Sequence, residues 1–414
     1  MTRTSKRSAP DKEQPIVGRA VSLFSGAGGL DLGLEASGIA TVACFELDQW
    51  AQQTLRHNRP GWHQPETSDV NEAAKTLTLR ELGLRRGELD LIVAGPPCQP
   101  FSRAAGWSSS GLQGMNDPRA STIHNLIRIV AALRPRAVLL ENVSGFFSGR
   151  LSALPVLQDG LAAINSSYRT NYRWSIAALD AADYGVPQRR RRTFAVARRD
   201  GKTFRFPVPT HDRKPITSWD ALADLPRTAF VPRDGSWLEL LPAIPEGKNY
   251  LHLTKRGGGP ELFGWRTRYW SFLLKLARDQ PSWTLSASPG PNTGPFHWDN
   301  RPLTIAERLR LQGFPDGWQL SGHPRQQIKQ VGNATPPPMA EAIAREIVAQ
   351  LRLGDPLARH ALSASAPRLT IARRDDCPQP TPPTGIPRSF AAQVGSYQPH
   401  PGAGLGPAPR PMTP

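Results

Sequence analysis

The stretch Val21-Ser-Leu-Phe-Ser-Gly-Ala-Gly-Gly-Leu-Asp31 is the most informative part of this 414-residue chain. It contains an apolar run, a turn with three glycines and the start of a helix. Gly26, Gly28 and Gly29 would allow the backbone to turn sharply and to approach a ligand closely. The pattern is not the dinucleotide-binding Gly-x-Gly-x-x-Gly, because its third glycine is missing from its place. Taken alone, the stretch could also be a plain tight turn.

Short apolar runs recur after this stretch and alternate with segments of helix length. The runs are Ala20–Phe24, Thr41–Phe45, Leu89–Ala94, Ala137–Leu140, Trp174–Leu179 and Thr193–Ala197. Between them, Ser121–Leu133 and Pro155–Ile164 are amphipathic. The alternation predicts an α/β fold with a doubly wound, mostly parallel sheet that binds ligands at the carboxyl ends of its strands.

Composition divides the chain into five segments. Residues 1–17 are polar and basic and predict a disordered arm, and residues 18–205 hold the α/β alternation. Residues 206–299 are rich in Pro, Gly, Arg and Trp and predict a smaller inserted domain. Residues 300–352 predict two closing helices, one beginning near Arg301 and one at Ala340–Leu351. Residues 353–414 are rich in Pro, Gly and Ala and predict a disordered tail.

Charge and cysteine content exclude several classes of protein. The 51 Lys and Arg against 34 Asp and Glu give a net charge of +17, which favours nucleic acid as partner, although a basic proteome would give the same balance. Cys44, Cys98 and Cys377 have no spacing typical of zinc or of a disulfide scaffold, so no metal is expected. The sequence has neither an apolar run of ~18 residues nor a signal peptide, so a cytoplasmic protein without a membrane span is expected.

The stretch Ala94-Gly-Pro-Pro-Cys-Gln-Pro-Phe-Ser102 follows an apolar run and contains a candidate nucleophile. Cys98 is expected on a loop at the carboxyl end of a strand, where a doubly wound fold places its chemistry. Only a few per cent of a free thiol is thiolate at neutral pH, so the site must supply positive charge or a base. The alternative is a structural cysteine, but Pro-Pro-Cys-Gln is not typical of a core.

Two carboxylates end apolar runs at the same predicted edge of the sheet. Glu46 follows the second run and could accept both hydroxyls of a ribose. Glu141 ends the run that begins at Ala137, and burial there would raise its pKa and suit it to hold or donate a proton. The alternatives are a solvated acid for Glu46 and a helix cap or an ion pair for Glu141.

An arginine-rich stretch, Tyr184-Gly-Val-Pro-Gln-Arg-Arg-Arg-Arg192, enters the last apolar run of the α/β segment. Strand alternation places Gln188, Arg190 and Arg192 on one face, with Arg189 and Arg191 on the other. One face could therefore direct two guanidinium groups into the site. A solvated basic run or a phosphate-binding patch is the alternative, above all for Arg189 and Arg191.

In this order, Phe-x-Gly-x-Gly-Gly, Pro-Pro-Cys-Gln, Glu-Asn-Val and Gln-x-Arg-x-Arg resemble the motifs of the cytosine-C5 DNA methyltransferases. Two later stretches, from Arg301 to Asp316 and Gln330-Val-Gly-Asn-Ala, are similar to motifs of the same family. The matches extend from about Arg19 to Leu351. The resemblance implies a Rossmann-like methyltransferase domain, with residues 206–299 as its target recognition domain.

The resemblance also implies S-adenosylmethionine as cofactor and a set of residues that contact it. Phe24 would pack on the cofactor, Glu46 would hold its ribose, and Asp69 would contact its adenine. The implied cofactor residues are Phe24, Gly26, Gly28, Gly29, Leu30, Glu46, Leu47, Asp69, Val70, Pro97 and Asn333.

The implied catalytic residues are Cys98, Glu141, Arg190 and Arg192. Cys98 would add to C6 of cytosine and make C5 nucleophilic toward the methyl group. Glu141 would bond the ring nitrogen and amine, Arg192 the carbonyl oxygen of the base, and Arg190 would help to hold the site. The base would have to flip out of the duplex.

Double-stranded DNA is the implied partner, together with a restriction endonuclease encoded nearby, and a monomer is expected. The stretch Gln99–Arg119 corresponds to a loop that closes over DNA in the family. The implied DNA contacts are Gln99, Ser102, Arg119, Arg256, Arg266, Arg268, Thr284 and Leu285. Arginine and lysine in this part can read guanine or hold phosphate, and these two roles stay open.

Three other functions compete with this interpretation. An RNA cytosine methyltransferase of the same fold would carry a Cys-Phe-Thr signature, but no cysteine lies between Cys98 and Cys377. Methylation of amino groups usually involves an Asp- or Asn-Pro-Pro-aromatic motif, whereas this chain has Gly95-Pro-Pro-Cys98. A DNA-binding protein that has lost catalysis is the third alternative, although every implied catalytic residue is present.

Overall fold

The computed structural model describes residues 15–98, 101, 114–117, 120–226, 234–235, 237–264, 270–355 and 371–395. It also describes the backbone of residues 397–398 and 410–411. No helix in these ranges has the length and apolar character that crossing a membrane requires.

The strands of the described residues form one large sheet and two small ones. In chain order they are β1 (Gly18–Leu23), β2 (Ile39–Phe45), β3 (Leu91–Ala94), β4 (Ala137–Asn142), β5 (Arg173–Asp180), β6 (Gln188–Arg189), β7 (Arg191–Arg198), β8 (Ser282–Trp283), β9 (Tyr397–Gln398) and β10 (Arg410–Pro411). The large sheet has the order β2-β1-β3-β4-β7-β5. The small sheets pair β6 with β8 and β9 with β10.

The large sheet confirms the predicted doubly wound, mostly parallel fold. Strands β1 to β4 pair in parallel, whereas β7 runs antiparallel to both of its neighbours, β4 and β5. The short connection between β5 and β7 explains this reversal, because a parallel pair would need a crossover of a dozen or more residues. The reversal places the first residues of β7 at the carboxyl ends of the parallel strands.

The helices lie on both faces of the sheet and in the later part of the chain. In chain order they are α1 (Gly29–Glu35), α2 (Gln49–Asn58), α3 (Val70–Thr76), α4 (Ser121–Leu133), α5 (Ser144–Phe147), α6 (Leu154–Tyr168), α7 (Ser218–Leu222), α8 (Ile305–Gln312), α9 (Pro324–Asn333), α10 (Pro337–Leu351) and α11 (Arg388–Ala391).

The helix expected near Arg301 begins at Ile305. Thr304 and Glu307 form a reciprocal cap there: the Thr304 hydroxyl accepts a hydrogen bond from the Glu307 backbone, and the Glu307 carboxylate accepts one from the Thr304 backbone. Arg301 lies before the helix, with its guanidinium on the Glu307 carboxylate at 2.7 Å.

Two apolar cores cover the two faces of the sheet. Strand alternation divides β3 between them: Leu91 and Val93 pack with α1 and α10, while Ile92 and Ala94 pack with α3, α4 and α6. The β3 strand is therefore buried on both sides, as a parallel sheet requires.

Two further cores occupy the later part of the chain. The first, which we call the shared core, joins Leu276, Leu285 and Trp298 to α8 and to Leu55 of α2. The second, which we call the recognition core, is built mainly from residues 237–296, whose side chains include Tyr250 and Phe263. The boundaries predicted at residues 206 and 299 stay predictions.

The disorder predicted for residues 353–414 stays a prediction, although the structure packs part of the segment 371–395 against the rest of the chain. Phe390 in this segment is buried in the recognition core, and Ile371 packs against the shared core. These few apolar side chains are separated by many prolines, so the average composition of the tail does not predict that they are buried. At the other end of the chain, Val17 of the expected basic arm is also buried.

A glycine sets the distance between α1 and α10. A β-carbon on Gly33 would lie 2.5 Å from the Ala340 side chain and 2.5 Å from the Glu341 backbone nitrogen. Gly61 has the opposite environment, because its β-carbon would meet no atom within 4 Å.

We predict that Gly33→Ala lowers the free energy of unfolding by about 1–3 kcal/mol, the usual cost of overpacking. Alanine is the better helix former, so the sign depends on the clash with α10. Urea denaturation followed by circular dichroism measures the change. Gly61→Ala is the control, and equal stability of Gly33→Ala and Gly61→Ala would contradict the close packing of these helices.

Candidate active site

A cavity of about 820 Å³ opens at the carboxyl ends of the parallel strands. Its walls contain most of the residues that the sequence implied for the cofactor and for catalysis. Those that line it are Phe24, Gly26, Gly29, Leu30, Glu46, Leu47, Asp69, Val70, Pro97, Cys98, Glu141, Arg190, Arg192 and Asn333. The structure therefore brings the two sets of side chains into one cavity.

The glycine turn forms one wall of the cavity through its backbone. Gly26 has a φ of 56°, and a β-carbon added there would meet nothing within 4 Å, so the turn leaves open space for a ligand. A β-carbon on Gly29 would lie 2.1 Å from the carbonyl oxygen of Thr335. Gly28 does not line the cavity; with a φ of 83°, it caps the start of α1, and a β-carbon added there would lie 2.9 Å from the Leu55 side chain.

The Glu46 carboxylate is held by backbone amides beside this turn. Its Oε2 accepts a hydrogen bond from the Gly26 nitrogen at 2.7 Å, and its Oε1 accepts one from the Asp48 nitrogen at 2.8 Å. Each carboxylate oxygen can accept a further bond, so the pair can still receive two hydroxyls. Burial raises the pKa of Glu46, and the backbone bonds act in the opposite direction. The adjacent Leu47 side chain is 71% exposed at the cavity wall.

Asp69 and Asn333 lie at the ends of helices on the cavity wall. The Asp69 Oδ1 accepts a hydrogen bond from the Asn71 nitrogen and so caps α3. Val70, the first residue of α3, is buried beside it. Asn333 is the last residue of α9, and its side chain is exposed.

The catalytic candidates meet where β4 ends and β7 begins. Asn142 of β4 pairs with Thr193, so Arg192 lies just beyond the end of β4. The Arg192 Nε is 3.0 Å from Oε1 of Glu141, and both side chains are largely buried. Cys98 lies on the loop after β3 and lines the same part of the cavity.

The charged neighbours of Cys98 have opposite effects on the pKa of its thiol. Burial raises the pKa of the Cys98 thiol, the nearby Arg192 lowers it, and the Glu141 carboxylate raises it. Burial also raises the pKa of Glu141, although Arg192 and Arg190 oppose that rise. Burial therefore acts on both groups in the direction of the neutral form, and Arg192 acts on both in the opposite direction.

Arg190 is almost wholly buried and bonds to backbone carbonyls. Its Nη2 donates to the Gly332 oxygen at 2.8 Å, and its Nη1 donates to the Leu285 oxygen at 3.4 Å. These bonds connect the cavity wall to the end of α9 and to the strand region around β8. Arg190 therefore joins these segments, and its role in holding the site for catalysis stays a prediction.

Sequence reasoning missed the residues that position these groups. The Asn142 side chain donates to the Pro96 carbonyl at 2.9 Å and so holds the loop that carries Cys98. Thr335 makes a side-chain hydrogen bond to Glu141. Asn142 belongs to the quoted Glu-Asn-Val motif and could have been found there, whereas Thr335 follows the last motif without any signal of its own.

Gln188 is a further residue that the sequence placed on the correct face without a role. It is fully buried, its Nε2 donates to Gln312 at 2.6 Å, and its Oε1 accepts from the Leu285 nitrogen at 3.0 Å. The alternation predicted for this stretch is confirmed, because Arg189 and Arg191 are exposed.

The residues implied for DNA have different outcomes. Gln99, Ser102, Arg119, Arg266 and Arg268 lie outside the described residues.

Arg256 and Thr284 are exposed, and the Thr284 hydroxyl donates to the Arg189 carbonyl at 2.7 Å. The implied DNA contact of Leu285 stays a prediction, although the structure buries the Leu285 side chain. That side chain is 1% exposed, since Leu285 packs into the shared core.

In the ranges that the structure covers, no three His, Cys, Asp or Glu side chains are grouped so that they could hold a metal ion.

The family model for C-5 cytosine-specific DNA methylases matches residues 18–349. The chain belongs to this family. It is a DNA (cytosine-5)-methyltransferase, in agreement with the resemblance of its motifs.

Curated relatives are similar over most of their length. The Type II methyltransferase M.SacI of Streptomyces achromogenes is 37% identical over 370 residues, covering 80% of this chain and 93% of that protein. The Type II methyltransferase M.NgoMIV of Neisseria gonorrhoeae is 31% identical, covering 80% of this chain and 98% of that protein.

Solved structures share the fold. The methyltransferase EhMeth of Entamoeba histolytica has a TM-score of 0.55 at 18% identity and covers 82% of this chain and 99% of its own. A DNMT2 variant of Spodoptera frugiperda has a TM-score of 0.55 at 18% identity and covers 80% of this chain and 99% of its own. Both are similar in the arrangement of the sheet and its helices.

We predict that the pKa of Cys98 moves in opposite directions when its charged neighbours are changed. Glu141→Gln removes negative charge beside the thiol and should lower the pKa, whereas Arg192→Gln should raise it. At about pH 8, iodoacetamide should therefore alkylate Cys98 faster in Glu141→Gln and more slowly in Arg192→Gln than in the unchanged protein.

Mass spectrometry of the peptide that contains Cys98 separates its reaction from that of the exposed Cys377. Arg189→Gln is the matched control, because it removes the same charge from the exposed strand face. Equal rates in Arg189→Gln and Arg192→Gln would show that the position of Arg192 in the cavity has no special effect on the thiol.

Proposed function

We propose that this enzyme transfers the methyl group of S-adenosylmethionine to C5 of a flipped-out cytosine, through a covalent bond between Cys98 and C6. The observation that carries the proposal is a single cavity that holds both Cys98 with the Glu141–Arg192 pair and the glycine turn with Glu46. A nucleophile and a nucleoside-binding carboxylate in one cavity suit a reaction between a base and a nucleoside cofactor.

The cavity wall fits S-adenosylmethionine in shape and chemistry. The open space beside Gly26 admits a ligand against the backbone, and the Glu46 carboxylate has acceptor positions for the two ribose hydroxyls. The exposed Leu47 offers an apolar surface for a flat base. When bound, the cofactor supplies an electrophilic methyl group on a sulfonium centre.

The chain's own residues make the cytosine ring reactive. The Cys98 thiolate adds to C6, and its electron pair becomes the new C–S bond while negative charge moves into the ring. Arg192 donates to the carbonyl oxygen of the base, and Glu141, whose pKa is raised by burial, bonds the ring nitrogen and the exocyclic amine. C5 then takes up the methyl group as an enamine carbon. A base removes the C5 proton, and elimination restores the C5–C6 double bond and frees Cys98.

Double-stranded DNA is the proposed substrate, because the enzyme must hold the target base outside the stack. The exposed cations Arg189 and Arg191 and the Thr284 hydroxyl lie next to the strands that carry the active site. Trp270 and Trp283 are 50% and 38% exposed, and their rings are 5.3 Å apart. Exposed aromatic rings among cations are suited to contact with nucleic acid bases and phosphates.

The relatives M.SacI and M.NgoMIV are named as Type II methyltransferases. We propose the same setting for this enzyme: it protects one short DNA sequence from a restriction endonuclease that cleaves at that sequence.

Base-resolution mapping of 5-methylcytosine tests the reaction directly. We expect DNA from a methylation-free host that expresses the chain to carry 5-methylcytosine at one short sequence. Cys98→Ser should remove this mark, because the hydroxyl does not form the adduct, and should leave cofactor affinity unchanged in calorimetry. Full methylation by Cys98→Ser would rule out the covalent mechanism, and unmethylated DNA from soluble protein would favour an RNA substrate or a role without catalysis.

Calorimetry with S-adenosylmethionine tests the cofactor site. Glu46→Gln replaces one carboxylate oxygen by an amide that cannot accept, so the dissociation constant should rise by about 10- to 100-fold, the usual effect of losing a hydrogen bond to a charged group. Glu72→Gln, on the exposed surface of α3, is the matched control and should bind normally. Unchanged affinity in Glu46→Gln would remove Glu46 from the cofactor site.

A further inference from the structure

The segment 371–395, which we call the C-terminal brace, follows the closing helices in sequence but packs on residues 237–296, which build the recognition core and which we call the recognition part. At the N-terminal end of the brace, Trp219 of α7 donates a hydrogen bond from Nε1 to Asp376 Oδ1 at 3.0 Å. The Arg374 backbone nitrogen donates to Asp220 Oδ1 at 2.7 Å. The helix α7 lies within the segment 206–299 and packs against α8 in the shared core, so α7 links this end of the brace to the closing helices.

The middle of the brace meets a buried cation. Arg278 Nη1 donates to the Gln379 carbonyl at 3.0 Å and lies 3.2 Å from Oε1 of Glu246. The same guanidinium is 5.4 Å from the centre of the Trp298 ring, which belongs to the shared core. Both ionised side chains are nearly buried, so breaking these contacts would leave charge without a partner.

The C-terminal end of the brace contributes a side chain to the recognition core. The Phe390 ring is 8% exposed, and its centre is 5.4 Å from that of Trp237. Backbone hydrogen bonds from Thr384 to the Pro242 carbonyl at 2.9 Å and from Gly395 to the Glu261 carbonyl at 2.8 Å hold the chain on either side. A tail that merely followed the surface would have no reason to bury an aromatic ring in this core.

The brace therefore contacts the recognition core directly and, through α7 and Ile371, the shared core that contains α8. Its N-terminal end is bonded to α7 and packs against the shared core, and its C-terminal end is part of the recognition core. None of these contacts involves a described residue that lines the active-site cavity. Loosening the brace should change the position of the recognition part and leave the cofactor site as it is.

We propose that the C-terminal brace holds the recognition part at the position that binds DNA, and that it thereby sets the affinity of the enzyme for DNA and its choice of sequence. The proposal rests on the DNA methylation described above. It assigns a positioning role, with no contact between the brace and the reacting atoms.

The test uses the full-length enzyme with Phe390→Ala, which removes the buried ring from the recognition core. Hydrogen exchange with mass spectrometry first establishes whether amides in residues 371–395 lose protection. The DNA probe is sheared genomic DNA that lacks 5-methylcytosine, and its affinity is measured by fluorescence anisotropy with S-adenosylhomocysteine present. Methyl transfer then gives KM for DNA and kcat separately, and sequencing gives the methylated sites.

We expect the amides of the brace to exchange faster in Phe390→Ala than in the unchanged protein. KM for DNA should rise by about tenfold, which is the effect expected when only about a tenth of the molecules hold the recognition part in the position that binds DNA. The value of kcat and the affinity for S-adenosylmethionine should change less than twofold, and secondary sites should gain methylation relative to the main site. Phe390→Leu, which keeps an apolar side chain, should restore most of the DNA affinity. Val394→Ala, at an exposed position of the same segment, is the matched control.

The proposal is overturned if the amides of the brace lose protection in Phe390→Ala while the DNA affinity, the KM for DNA and the choice of methylated sites stay unchanged. If Phe390→Ala leaves the amides of the brace protected, the same measurements are made on a variant that adds Arg374→Ala and Asp376→Ala. Loss of protection in that variant with unchanged DNA affinity, KM and site choice would again overturn the proposal. Anisotropy requires no methyl transfer, so its result stands apart from the covalent mechanism. Failure of the unchanged enzyme to methylate DNA would contradict the proposed function instead.

Discussion

The buried guanidinium of Arg190 is the contact on which the arrangement of the active site depends. It bonds the carbonyls of Gly332 and Leu285, which belong to the end of α9 and to the segment after β8, while its own backbone leads into β7. A buried cation is costly unless polar groups surround it, so these three segments must stay together once the protein has folded. The guanidinium and the backbone of Arg190 therefore join three segments at the cavity wall.

The direction of β7 supplies the second constraint. Parallel strands deliver Glu46, Cys98 and Glu141 to one edge of the sheet, because each follows or ends a strand that points the same way. An arginine at the start of a strand can reach that edge only if its strand runs in the opposite direction. The antiparallel pairing of β7 with β4 achieves this, and it places Arg192 against Glu141. The same pairing brings opposing charges to the thiol, so the reactivity of Cys98 is tied to sheet topology.

The recognition part depends on the rest of the chain more than an inserted domain usually does. Leu285 and Trp298 share a core with α8, and Phe390 enters the recognition core from the C-terminal side. Small cores bury too little apolar surface to be stable alone, so contributions from distant segments are physically useful. The recognition core and the sheet are thus coupled by packing, and a change far from the cavity can alter how the two are placed relative to each other.

Local patterns in the sequence were sufficient for the order of strands and helices and for the position of Cys98 on the loop after β3, because apolar periodicity and short motifs report on neighbouring residues. Ser121–Leu133 is a helix with the bounds predicted, and Gln188 and Arg190 face inward as strand alternation requires. Only the tertiary structure decided that β7 is reversed, that Leu285 is buried, that Thr335 bonds Glu141 and that residues 371–395 are packed. These features arise from contacts between segments far apart in the chain, and no local pattern of residues encodes which distant surface a side chain will meet.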